Sequence, residues 1–177
     1  MYGMIHVAIR KMVADELGEG GWAKVLKATG YGAGEFISAS TYDDSVTLNL
    51  VAASAAACSQ EVDPFLQRLG QYWIRFASDG AYKTLMVVAG ADLLTFLDNL
   101  DRLHAAVQAA MPAARLPSFT VTESGEGYAR VSYASERTGM ESFVTGLLEG
   151  LLERFGYAGK VQEVGRSNDA IDFAIVY

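Results

Sequence analysis

Met111-Pro112-Ala113-Ala114-Arg115-Leu116-Pro117 is the stretch at which the chain changes period. On its N-terminal side apolar residues recur at helical spacing, and on its C-terminal side they alternate as they do on strands. Immediately upstream, Leu93, Leu97, Leu100, His104 and Val107 step by four, three, four and three, which is one stripe of one helix. Further back, Ile5, Ile9, Met12, Val13 and Leu17 predict a helix closed by Gly18, and a second short helix over 21–28 ends at Gly30. Gly30-Tyr31-Gly32-Ala33-Gly34 reads as a loop. Asp43-Asp44 suits the start of a helix running through Val46, Leu50 and Val51 to Ala57. Pro64 sits where a first-turn proline belongs, opening a helix through Phe65, Leu69, Trp73 and Phe76 that Asp79-Gly80 breaks. A short helix over 82–88 ends at Gly90.

Downstream, 118–123 and 128–137 read as strands about a Gly125-Glu126-Gly127 turn, and 140–155 as an amphipathic helix with Phe143, Leu147, Leu148, Leu151, Leu152 and Phe155 apolar. A hairpin of 160–165 and 170–177 follows, joined by Arg166-Ser167-Asn168-Asp169. The fold class expected is therefore α+β: an N-terminal helical lobe, then a C-terminal antiparallel sheet of about four strands with a packed helix. Without a linker between them, the two read as lobes of a single domain, 1–177, dividing at about residue 60.

The chain has 177 residues, 51% of them hydrophobic and 20% charged, enough for a sizeable core and for an apolar cavity lining. A net charge of −7 and basic residues that form no run argue against nucleic acid and against an anionic membrane surface. The lone Cys58, in an Ala-rich helix, fits a small buried hydrophobe in a reducing compartment. The start lacks a basic leader, and no apolar run is long enough to span a bilayer, so a cytoplasmic protein is expected.

Two groups of residues carry chemistry. On a strand over 128–137, Tyr133, Ser135 and Arg137 would share one face and offer a phenol, a hydroxyl and a guanidinium to an anionic group. His104 occupies an apolar stripe, where a histidine is either a core residue bonded to a carbonyl or a metal ligand. His6, beside the Ile5–Ile9 face, reads as peripheral. There is no second histidine four residues on, no HExxH, no Cys/His cluster, no GxSxG elbow, and Gly30-x-Gly32-x-Gly34 is not a dinucleotide fingerprint. One axial-type nitrogen, an anion cradle and abundant apolar surface suit a haem.

These residues resemble the bacterial haem–nitric oxide/oxygen binding (H-NOX) domain, which is similar to the haem domain of soluble guanylate cyclase. The likeness runs through Met1-Tyr2-Gly3, Tyr42-Asp43-Asp44, Gly70-Gln71-Tyr72-Trp73, the stretch from Phe96 to His104, Leu116-Pro117-Ser118-Phe119, Tyr133-x-Ser135-x-Arg137 and Gly146-Leu147-Leu148-Glu149-Gly150. The resemblance implies haem b between the lobes, with His104 as proximal iron ligand and Tyr133, Ser135 and Arg137 on the propionates. It also implies that Pro117 and Ile5 pack on the porphyrin, Pro117 holding it out of plane. Taken without the family, Pro117 is a strand-start proline and Ile5 plain core.

The resemblance further implies a diatomic gas ligand. Oxygen-binding members carry a distal tyrosine on the helix after the YxSxR motif, and none occurs in Met140-Glu141-Ser142-Phe143-Val144-Thr145-Gly146. Counting from Arg137 puts Ser142 at that position, whereas counting back from Gly146 puts Phe143 there. Ile9 and Trp73 are the other distal residues implied, and the Trp73 indole N–H could donate weakly. The expected function is a non-enzymatic nitric oxide sensor, also binding CO and largely excluding O2, in which the His104 bond to iron weakens or breaks. Its partner would be a separate histidine kinase or cyclic-di-GMP enzyme. The rival readings are a haem-free module using the cradle for another anion, and a redox or O2-responsive haem protein or enzyme.

Overall fold

The computed structural model describes residues 1–32, 36–167 and 169–177, so parts of the expected 30–34 loop and 166–169 turn lie outside the described residues. α1 (Gly3–Thr29) is two helical pieces in one: Gly18, at φ 70° and ψ 179°, interrupts it where the sequence predicts a stop. Gly30 then caps it in the left-handed region, its N–H bonding the Leu26 carbonyl. α2 (Asp44–Ala57) opens on Asp43, whose carboxylate accepts from the Ser45 N–H and satisfies one orphan donor of the first turn. α3 (Val62–Asp79) carries Pro64 in its first turn, and α4 (Lys83–Ala89) follows.

The expected stripe helix is divided at Asn99 into α5 (Leu93–Asp98), capped by Asp92, and α6 (Leu100–Ala110). Asn99 sits at φ −92° and ψ −1°; its backbone still bonds to Thr95 and Leu103, and its side-chain amide donates to the Ala89 carbonyl at 2.9 Å. The stripe correspondingly changes duty along its length. Leu93, Leu97 and Leu100 are buried in the core, whereas His104 and Val107 are half-exposed and face a cleft.

β1 (Ser118–Gly125), β2 (Tyr128–Ala134), α7 (Glu141–Arg154), β3 (Lys160–Arg166) and β4 (Ile171–Val176) complete the chain. The sheet is antiparallel throughout in the order β1-β2-β4-β3, with bulges at Val121/Glu123 and Glu163/Gly165 on its two edge strands. The helical start, the four-stranded antiparallel sheet and the packed helix agree with the α+β architecture read from the sequence. β2 is shorter than expected: it ends at Ala134, so Ser135 and Arg137 belong to the segment that follows, and strand alternation does not align them with Tyr133.

Burial falls into two clusters. One gathers Ile5, Ile9, Met12, Val13, Trp22, Leu50, Phe65 and Leu69 from α1, α2 and α3. The other joins α4, α5, α7 and the inner sheet face through Met86, Phe96, Leu97, Val131, Leu148 and Phe173. Trp73 and Leu147 pack on both. α3 meets α7 at backbone contact: a Cβ on Gly70 would lie 2.2 Å from the Phe143 carbonyl, and one on Gly146 1.9 Å from the Gln67 carbonyl. Only glycine lets two helix axes come that close.

His6 corrects a sequence expectation. It is not peripheral but fully buried, its Nε2 2.8 Å from Thr47 Oγ1 and its ring set edgewise between Phe36 and Tyr42. Nδ1 has no hydrogen-bond partner. Burial therefore lowers its pKa from 6.5 to about 4, with the N-terminal charge adding to the effect.

Candidate functional site

A cleft opens where the two clusters meet. Its walls are apolar: Ile5 from the start of α1, Trp73 from α3, Val107 from α6, Phe119 from β1, and Phe143, Val144 and Leu147 from α7. Its polar side chains are few, namely Tyr2, His104, Arg115, Tyr133, Ser135 and Arg137, with the indole N–H of Trp73. A concave, mostly apolar space with a few placed polar groups is how proteins hold small organic ligands.

His104 is oriented from behind. Its Nδ1 donates to the Pro117 carbonyl at 2.8 Å, leaving Nε2 as the ring's lone-pair nitrogen. Burial lowers its pKa against the opposing pull of that carbonyl and of Asp101, so the ring is neutral at neutral pH. Asp101, one turn earlier, ties α6 to the sheet: its two oxygens accept from the Phe119 N–H and the Ser118 hydroxyl, each at 2.7 Å. Helix, proline and first strand thus form one braced corner around the imidazole.

The cradle is built across the lobes. Tyr133 is buried on β2, and desolvation raises its pKa while Ser135 hydrogen-bonds it. The Arg137 N–H donates to Ser135 Oγ at 3.1 Å, which fixes the turn after the strand. The Arg137 guanidinium sends Nε to the Asp44 carboxylate at 3.0 Å and Nη1 to the Arg115 carbonyl at 2.6 Å. Asp44 also receives the Met1 amine at 2.6 Å. Partial burial raises the Asp44 carboxyl, but these two cations outweigh it and hold it below the usual carboxylate range. A side-chain fork held on two sides keeps its remaining N–H groups directed and saves the entropy of ordering them.

Of the residues singled out from the sequence, Ile5, Trp73, His104, Pro117, Tyr133, Ser135, Arg137 and Phe143 all reach the cleft wall. Ile9 and Ser142 do not: Ile9 is fully buried in the helical cluster, and the wall is formed by Phe143 and Val144 instead. The sequence reading missed Leu147, Met4 and Met140, which also line the cleft. Leu147 was recoverable, because it stands four residues after Phe143 on the same helix face. Among the described residues no group of three or more His, Cys, Asp or Glu could hold a metal, and no helix is long and apolar enough to cross a membrane.

Comparison with known proteins accords with this arrangement. The family described as haem-NO-binding matches residues 2–163. Soluble guanylate cyclase 89Da of Drosophila melanogaster is 26% identical over 170 residues, which is 96% of this chain and 26% of that protein. The chain thus spans about a quarter of the length of the curated relatives it matches. Among solved structures, the unliganded Fe(II) H-NOX protein from K. algicida superposes with a TM-score of 0.80 at 23% identity, covering 99% of this chain and 96% of that one. The S. oneidensis H-NOX protein in the Fe(II)NO ligation state gives 0.83 at 20% identity, covering 99% and 98%. At these identities the structural likeness speaks to the fold.

Proposed function

Because the chain belongs to the haem–NO-binding (H-NOX) family, a haem-dependent gas-sensing domain rather than a catalytic one, we propose that it is a nitric oxide sensor that discriminates against O2. The observation that carries this reading is His104: a neutral imidazole, braced through Nδ1 by the Pro117 carbonyl, on the wall of an apolar cleft whose polar corner is Tyr133, Ser135 and Arg137. A carbonyl behind the ring that fixes the tautomer in this way is the usual partner of a histidine metal ligand. A flat, apolar, dicarboxylate haem b fits that donor set. His104 would hold the iron, Tyr133, Ser135 and Arg137 the propionates, and Ile5 and Pro117 the porphyrin faces. When bound, haem supplies a ferrous iron able to take a diatomic gas, NO or CO.

Discrimination follows from what lines the far wall. Bound dioxygen becomes superoxide-like and gains from a hydrogen-bond donor, whereas nitric oxide does not need one. Phe143, Val144 and Leu147 offer none, and Trp73 has the one N–H among the far-wall side chains named here. On nitric oxide binding His104 would loosen or release, freeing α6 to shift against the Pro117–Phe119 corner that Asp101 now clamps. Such a shift, passed to the helical lobe, would change the affinity of an exposed surface for a signalling partner of the histidine kinase or cyclic-di-GMP enzyme kind.

The test is spectroscopic. Ferrous protein titrated anaerobically with NO, CO and O2 should show a Soret band that shifts with NO and CO and hardly with O2. A nitrosyl complex that keeps its histidine would sink the release step. Absence of a Soret band after expression with ample haem would overturn the reading in favour of a haem-free anion-binding module.

A further inference from the structure

The seam between α3 and α7 carries a device that the gas reading leaves unused. Gly70 and Gly146 bring the two backbones into contact, and that contact stops the helices from closing further. Sliding is opposed by Ile74 of α3, whose side chain sits against Gly150 of α7 where a Cβ would lie 3.0 Å from it. Directional bonds reinforce that register. Glu149, half-buried on α7, accepts from Gln67 Nε2 at 2.9 and 2.8 Å and from Gln71 Nε2 at 2.8 Å, donors one turn apart on α3. Amides satisfy its oxygens, and among the described residues no cation pairs with it. A turn further on, Arg75 and Glu153 repeat the pairing in solvent at 3.4 Å, where it contributes little.

The same two helices carry the far wall of the cleft, Trp73 on α3 facing Phe143 and Leu147 on α7. Gly70 touches the backbone of that very stretch, at the Phe143 carbonyl and the Leu147 N–H. We propose that Glu149 is a positioning residue for this wall: by locking α7 against sliding along α3 it fixes Trp73 relative to Phe143 and Leu147, and so sets how a diatomic ligand is received. Hydrogen bonds to a charged acceptor are about twice as strong as neutral ones, so one carboxylate shared by two amides makes a stiff lock. The placement of Trp73 is independent of any cofactor; the consequence for gas binding rests on the haem reading above.

The experiment separates the two. In a Trp22→Phe background Trp73 is the sole indole, and its emission maximum and acrylamide quenching are read in haem-free protein for Glu149→Ala, Glu149→Gln and Gln67→Leu/Gln71→Leu. Glu149→Ala and the double leucine variant should shift both signals, and Glu149→Gln, whose amide oxygen still accepts, should restore them. In haem-loaded protein, Glu149→Ala should change the CO association rate by about threefold or more and broaden the bound C–O stretch, again with rescue by Gln. Unchanged Trp73 signals in both Glu149→Ala and the double variant overturn the proposal, whether or not haem is retained. A lowered melting temperature with unaltered Trp73 emission and CO kinetics would also overturn it, marking the seam as merely structural. Failure of the parent protein to take haem would count against the gas reading alone, since the Trp73 arm stands without it.

Discussion

The buried His6 makes stability depend on pH between its ordinary pKa of 6.5 and its lowered value of about 4. The folded-state pKa of His6 is about 4 and its ordinary value 6.5. Between those values the unfolded chain binds a proton that the folded one refuses, so stability rises with pH through the window. Its full contribution is present above pH 6.5 and is lost as pH falls toward 4. At 1.36 kcal/mol per unit, the whole effect is roughly 3 kcal/mol, with about 2 kcal/mol already lost at pH 5. That is a large share of the ~5–15 kcal/mol by which domains are stable. Urea unfolding followed by far-ultraviolet circular dichroism at pH 7, 6 and 5 measures it.

The comparison is His6→Leu combined with Thr47→Val, which removes both ends of the 2.8 Å hydrogen bond and leaves no orphan hydroxyl. Its unfolding midpoint should fall much less between pH 7 and 5 than that of the parent. The chain has only two histidines, and burial lowers His104 as well, so part of any residual slope of the same sign belongs to His104 and should be lost in a further His104→Leu variant, leaving the small tail of the depressed carboxylates such as Asp44. An undiminished slope in the His6→Leu/Thr47→Val protein would refute the reasoning.

Other outcomes are expected from the same geometry. His104→Gly should purify without haem and regain a Soret band when imidazole is added, since the Pro117 carbonyl remains to orient the added ring; haem retention without imidazole would contradict the ligand assignment. Phe143→Tyr places a hydroxyl on the cleft wall and should raise O2 affinity by about one to two decades, read by oxygen titration of the ferrous protein. Gly146→Ala drives a methyl to 1.9 Å from the Gln67 carbonyl and should cost about 3 kcal/mol or more of stability by denaturant unfolding. Arg137→Lys keeps the charge but loses the fork that reaches Asp44 and Arg115 together. It should speed haem transfer to an apo-globin acceptor, and an unchanged transfer rate would count against the cradle.

The amino-acid sequence by itself determined most of the element plan and singled out eight of the residues that line the cleft. Gly18, Gly30, Pro64 and Gly80 mark where helices stop and start because their backbone constraints act locally, whatever surrounds them. His104 stood out because a polar residue breaks an apolar stripe, and Tyr133, Ser135 and Arg137 because three donors recur at alternate positions. The reason inferred for the second group was nonetheless incomplete. β2 stops at Ala134, and the cradle is assembled by the Arg137 N–H bonding Ser135 and by Asp44 reaching over from α2. Spacing had picked three residues that share the cleft wall, through a strand that does not extend to two of them.

What only the tertiary structure decided depends on contacts between residues far apart in the chain. Whether Ser142 or Phe143 meets the cleft is a matter of one residue of helix rotation, and the close approach of α3 to α7 settles it in favour of Phe143. His6 looked peripheral because its neighbours in sequence, Ile5 and Ile9, face elsewhere. Thr47, Phe36 and Tyr42, 30 or more residues away, are what bury it. The division of the stripe helix at Asn99, whose side chain reaches back to the Ala89 carbonyl, likewise carries no glycine or proline to mark it in the sequence. Local propensity reads conformations one residue can impose on its own backbone; burial, tautomer and the facing of a side chain are set by partners that the order of the chain does not reveal.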